Sequence, residues 1–125
     1  MAKSALIAVV DDDESVREAL TALLKSLGYA TVAFSRAEDF LSSEQRGSAD
    51  CLIADIQMPG MSGFDLYAQI AASEEKIPTI LVTAYPTRGA QTRALRDGVK
   101  AYLTKPFSED ELLGSIRVAL DSGCD

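Results

Sequence analysis

ALIAVVDDDESVREALTALLKSLG, from Ala5 to Gly28, is the stretch whose reading decides the fold. It opens with a short apolar run, Ala5 to Val10, of the length and β-branched character of a buried strand. Asp11-Asp12-Asp13 ends that run. Val16, Ala19, Leu20, Leu23, Leu24 and Leu27 then recur at helical spacing, and Gly28 stands where a left-handed cap would close the helix. Asp13 is placed to accept from the free N–H groups of the first turn.

The same alternation continues to the end of the chain. Further apolar runs occur at Ala30 to Phe34, Cys51 to Ala54, Thr79 to Val82 and Ala101 to Leu103, each followed by a segment of helical period. Strand and helix in regular alternation predict a parallel α/β sheet. Ser35-Arg36-Ala37-Glu38 reads as a capping box before Phe40 and Leu41, and Ser108 to Glu111 as another before Leu112, Leu113, Ile116 and Leu120. Ser62-Gly63 opens a third helix that would bury Leu66 and Ile70. Thr87 to Asp97 offers only Ala90, Ala94 and Leu95 as its apolar stripe, so the fourth helix is the most lightly anchored and a candidate for movement. Gly123 is the expected stop of the fifth helix. The predicted fold is a doubly wound, five-stranded parallel sheet in the order 2-1-3-4-5 with five helices.

Composition narrows the function. At 125 residues the chain suits one compact domain that needs no disulfide or structural metal. Its formal net charge of −7 and pI near 4.5 argue against direct nucleic-acid binding, which draws on Lys and Arg. No apolar run is long enough to span a bilayer and the amino terminus lacks the pattern of a signal peptide, so a cytoplasmic location is expected. Cys51 and Cys124 share no metal or redox spacing and are assigned no chemistry. Histidine is absent, which removes Ser-His-Asp and Cys-His nucleophiles and His-ligated metals. Carboxylates, hydroxyls and lysine remain.

Those residues sit where the apolar runs stop. The first run ends in Asp11-Asp12-Asp13, the third in Asp55, the fourth in Thr83, and the fifth in Thr104-Lys105-Pro106. In an open parallel sheet ligands bind beyond the carboxyl ends of the strands, where the winding reverses. The order 2-1-3-4-5 puts that crevice between strands one and three, so Asp11, Asp12, Asp55, Thr83 and Lys105 should converge there. Carboxylates packed together repel by about 4 kcal/mol per pair at ~4 Å and an effective dielectric near 20. Lys105 offsets part of this, so either one carboxylate is protonated or a hard divalent cation fills the site. Oxygen ligands with retained waters suit Mg2+, with Mn2+ a conceivable substitute. A carboxylate so placed can attack a phosphoryl group. Asp55, the lone acid on a central strand, is the best nucleophile, Asp11 and Asp12 the metal ligands, and Lys105 and Thr83 the groups for phosphoryl oxygens.

The segments VVDDDE (Val9 to Glu14), LIADIQMPGMSG (Leu52 to Gly63), LVTAY (Leu81 to Tyr85) and AYLTKPF (Ala101 to Phe107) resemble the receiver domains of bacterial two-component response regulators, over nearly the whole chain. The resemblance implies a flavodoxin-like fold and a single receiver domain over residues 1–125. It implies that Asp55 is the phosphorylation site, that Asp11, Asp12 and Asp55 bind Mg2+ together with the backbone carbonyl of Gln57, and that Lys105 precedes a cis proline, Pro106, which helps to aim it. It implies further that Thr83 and Tyr102 form a switch pair, the threonine moving toward the phosphoryl group and the tyrosine filling the vacated space from an outward position. Gln57 and Tyr85 resemble positions that tune access of water to the acyl phosphate. The implied partners are a sensor histidine kinase or histidine phosphotransfer protein as donor and a downstream output protein or an output domain absent from this chain. Dimerisation on phosphorylation would also fit. On this reading the chain is a phosphoacceptor that assists its own phosphotransfer and dephosphorylation rather than an enzyme.

Other readings fit less well. A haloacid-dehalogenase-like aspartyl phosphatase carries threonine or valine two residues beyond its D-x-D, where this chain has Ser15. A flavin mononucleotide carrier needs a glycine- and hydroxyl-rich loop after the first strand, where three aspartates would repel the phosphate. A degenerate receiver that serves only as an interaction module would not require all five site residues.

Overall fold

The computed structural model describes residues 5–74 and 76–123. Five parallel strands, β1 (Leu6–Val10), β2 (Ala30–Phe34), β3 (Cys51–Asp55), β4 (Thr79–Thr83) and β5 (Ala101–Thr104), form one sheet in the order β2-β1-β3-β4-β5. The helices between and after them are α1 (Glu14–Ser26), α2 (Ala37–Leu41), α3 (Gly63–Ala72), α4 (Arg88–Asp97) and α5 (Glu109–Gly123). The predicted architecture and strand order are those observed.

Period-two alternation along the strands divides the core into two layers. Ala8, Val10, Leu52, Ala54 and Leu81 face Phe40 of α2, Leu66 and Ile70 of α3 and Ala94 of α4. Ile7, Val9, Ile53, Ile80 and Val82 face Leu20 and Leu24 of α1 and Leu112, Ile116 and Ala119 of α5. The central strands are covered on both sides, which is why they read as unbroken apolar runs.

Helix starts follow the sequence in most places. Asp13 Oδ1 accepts from the N–H groups of Ser15 and Val16 at 2.9 and 3.3 Å. Ser62 and Asp65 form a reciprocal capping box on α3, as Ser108 and Glu111 do at the start of α5. After α1, Gly28 takes a φ of +95°, as its place in the pattern requires.

Three local differences stand out. The Ser35 capping box does not form: α2 starts one residue later, with Arg36 at its N-cap and no side-chain bond there. Burial of Ala37 and Phe40 sets the start of this five-residue helix, and Glu38 turns instead to Arg36 at 3.8 Å. A 3-10 helix at Glu44–Ser48, too polar to leave a periodic signal, lies before β3. Strands β3, β4 and β5 each reach one residue further than expected, taking in Asp55, Thr83 and Thr104. Cys51 is fully buried and burial pushes its thiol up to about 12, an inert group as expected, whereas Cys124 lies outside the described residues.

Candidate functional site

Sheet register builds the site. Val10 of β1 pairs with Ala54 of β3, so the residues that follow them, Asp11 and Asp55, emerge side by side. Asp55 pairs with Val82, which puts Thr83 one step beyond it on β4. Thr83 pairs with Thr104, and the N–H of Lys105 then donates to the Thr83 carbonyl at 2.8 Å. Four strands thus deliver the predicted residues to one end of the sheet.

Carboxylate oxygens of Asp11, Asp12 and Asp55 lie within 4.8 Å of one another, a set that could hold a metal ion. Asp11 and Asp55 are buried at 1% and 6% exposure, while Asp12 faces solvent. Lys105 Nζ donates to Asp11 Oδ2 at 2.9 Å and to Asp55 Oδ2 at 3.2 Å. The Lys105–Pro106 peptide bond is cis, as the resemblance implies. The remaining Asp11 oxygen accepts from the N–H of Asp13 at 2.9 Å, and Asp55 Oδ1 accepts from the N–H of Gln57 at 3.2 Å.

The electrostatics show how far the lysine goes. Burial raises the Asp55 carboxyl above the ordinary carboxylate range; the charge of Lys105 pulls it down, that of Asp11 pushes it up, and the net shift is upward. Burial alone would lower the Lys105 ammonium, but its hydrogen bond to Asp11 and the charges of Asp11 and Asp55 prevail and raise it. An all-oxygen donor set with surplus negative charge and an unfavourably ionised central carboxylate fits a hard divalent cation.

Three contributions had not been read from the sequence. Arg17 on α1 donates from Nη1 to the Asp11 carbonyl at 2.7 Å, clasping the acidic loop to the helix. Its position four residues after the N-cap Asp13 was the only hint. A Cβ on Gly63 would lie 2.6 Å from the Asp55 carbonyl oxygen, so α3 can start this close to the end of β3 only with glycine there. The third is the Gln57 side chain, whose Oε1 accepts from the Thr83 hydroxyl at 2.6 Å, while that hydroxyl accepts from the Tyr85 N–H at 2.9 Å.

Tyr102 differs from expectation. Rather than pointing outward, it packs against the α2–α3–α4 layer, with its hydroxyl shielded from solvent and without a hydrogen-bond partner among the described residues. The ring finds apolar neighbours there, and the unpaired hydroxyl opposes that gain by about 1–3 kcal/mol.

Fold and site together define a doubly wound α/β domain that presents an acidic pocket, able to hold a metal ion, at its topological switch point. The chain belongs to the response regulator receiver domain family, whose model matches residues 7–117, and it is a receiver domain of the two-component signalling type. It is 40% identical over 118 residues to the response regulator protein TodT of Pseudomonas putida, covering 94% of this chain and 52% of TodT. The structure of response regulator StyR matches at a TM-score of 0.88 with 38% identity, covering 98% of this chain and 62% of that one. A receiver domain from Clostridium thermocellum matches at a TM-score of 0.87 with 26% identity over 94% of this chain and 95% of that one. The chain spans about half the length of the curated relatives it matches. No helix among the described residues is long and apolar enough to cross a membrane.

Proposed function

We propose that Asp55 accepts a phosphoryl group from a phosphohistidine on a sensor kinase or phosphotransfer protein, in a Mg2+-dependent reaction that the domain itself assists. The observation that carries this reading is the meeting of Asp11, Asp12 and Asp55 within 4.8 Å around a lysine bonded to two of them. Asp11, Asp12, Asp55 and the backbone carbonyl of Gln57 would hold the ion, which when bound supplies neutralising charge and a site for a phosphoryl oxygen.

The protein's own groups do the rest. A carboxylate oxygen of Asp55 forms the new P–O bond as the P–N bond breaks, and the imidazole leaves with the electron pair. Lys105 is held by Asp11 in position to meet the negative charge of the phosphoryl oxygens as it shifts from Asp55 toward them. Thr83, at the adjoining strand end, donates its hydroxyl to another phosphoryl oxygen, and its displacement alters the packing around the inward Tyr102 and with it the α4–β5–α5 face. The lightly anchored α4, which buries Ala94 and leaves Leu95 half exposed, suits an element that shifts. The greater length of the relatives supports an output segment elsewhere in the whole protein.

Incubation with acetyl phosphate and Mg2+, followed by intact mass measurement, tests the reading. The expected result is one added phosphoryl mass that disappears with chelator or in Asp55→Asn. An unmodified wild type, or an Asp55→Asn protein that still gains the mass, would overturn it.

A further inference from the structure

We propose that the side chain of Gln57 is a latch on Thr83, keeping the threonine's only donated hydrogen occupied until a phosphoryl group on Asp55 competes for it. The inference rests on the phosphoacceptor reading and adds a regulatory contact to it.

Hydrogen-bond chemistry assigns the direction. A threonine hydroxyl has one hydrogen and two lone pairs. One lone pair accepts from the Tyr85 N–H at 2.9 Å, and the contact to Gln57 Oε1 is 2.6 Å. That separation belongs to the O–H···O range centred near ~2.7–2.8 Å rather than to N–H···O near ~2.9–3.0 Å. The hydrogen therefore lies between Thr83 and the Gln57 carbonyl oxygen. Thr83 is fully buried, so its hydroxyl has no water to turn to, and it must leave Gln57 before it can donate elsewhere.

Gln57 also spans the two centres that must communicate. Its backbone N–H donates to Asp55 Oδ1 at 3.2 Å while its side chain holds Thr83, so a single residue touches both nucleophile and switch. The residue is exposed, and water can receive the carboxamide when the latch opens. A phosphoryl oxygen is an anionic acceptor and forms a hydrogen bond about twice as strong as a neutral amide does, which favours the exchange once Asp55 is modified.

Gln57→Met, matched in length but without the acceptor oxygen, separates this role from others. In the presence of Mg2+ the variant should bind beryllofluoride, a phosphoryl mimic, about 2- to 10-fold more tightly, the range set by one net intramolecular hydrogen bond. The gain should vanish in a Thr83→Ala background. In metal-free protein the Tyr85 amide resonance, which reports on the Thr83 hydroxyl, should move in Gln57→Met toward its beryllofluoride-bound position. Unchanged affinity, an equal gain without Thr83, or an unmoved Tyr85 resonance would each overturn the latch. A wild type that fails to bind beryllofluoride at all would instead overturn the phosphoacceptor reading.

Discussion

Val10 and Asp11 are consecutive residues, both essentially withdrawn from water, yet their burial has opposite consequences. Val10 lies among Leu52, Ala54 and Leu81 in the layer against α2, α3 and α4, where removing apolar surface from water stabilises the fold by about 25 cal/mol per Å2. Asp11 begins the cluster at the strand ends, where burial takes charges out of water and the acids outnumber their close cationic partners. The same contrast recurs one strand over, between Ala54 and Asp55. The sheet interior stabilises the domain, whereas its carboxyl end is an electrostatic load that the interior must carry and that a bound cation would relieve.

This comparison breaks if mutations in the two regions respond alike to Mg2+. The largest loss is expected within the interior: Leu52→Ala should destabilise by about 2–5 kcal/mol, through lost burial and the cavity left behind. Urea unfolding should show the same loss with and without Mg2+. Lys105→Met should lower stability by about 2 kcal/mol in chelator, because Asp11 and Asp55 lose their shared ammonium, and Mg2+ should restore much of it. A deficit indifferent to Mg2+ would mean that the lysine acts through packing alone.

Asp55→Asn sharpens the contrast with a smaller change of opposite sign. Because its native carboxyl titrates above the ordinary range, native Asp55 holds its proton more tightly than the unfolded chain does. Its contribution to stability is therefore greatest at low pH and falls as pH rises from the ordinary carboxylate value through the raised native one. In chelator, Asp55→Asn should match wild type in acid and become the more stable protein as pH climbs, with about 4 °C in Tm for each ~1 kcal/mol of repulsion relieved. Lys105, also raised, contributes fully below the ordinary lysine range and loses its contribution as pH passes through its raised value, so it leaves the acid-side trend unchanged. A series of melts across pH reads the difference directly.

What could be read from sequence divides along the same line. Apolar periodicity located every strand and long helix, because burial on both sheet faces imposes runs and helical stripes that survive in one dimension. Strand ends located Asp11, Asp12, Asp55, Thr83 and Lys105, because parallel topology turns chain position into spatial position. The features that escaped depend on where a side chain goes after leaving its backbone. Arg17 reaches a carbonyl, Gln57 reaches Thr83 across 26 residues of sequence, and Tyr102 lies inward. None of these choices alters a periodic pattern. The start of α2 departs from its sequence signal for a related reason: Ser35 has the right side chain for a cap, but packing of Ala37 and Phe40 places the helix one residue later.

A calorimetric titration of Mg2+ into wild type and Asp12→Ala tests most directly whether the acids share one cation. Asp12 is exposed, so its loss should leave the fold intact. The account predicts a single site in wild type, and in the variant an affinity lower by about tenfold or more, equivalent to ~1.4 kcal/mol. Equal affinity in the two proteins, or no Mg2+ binding by wild type, would contradict it.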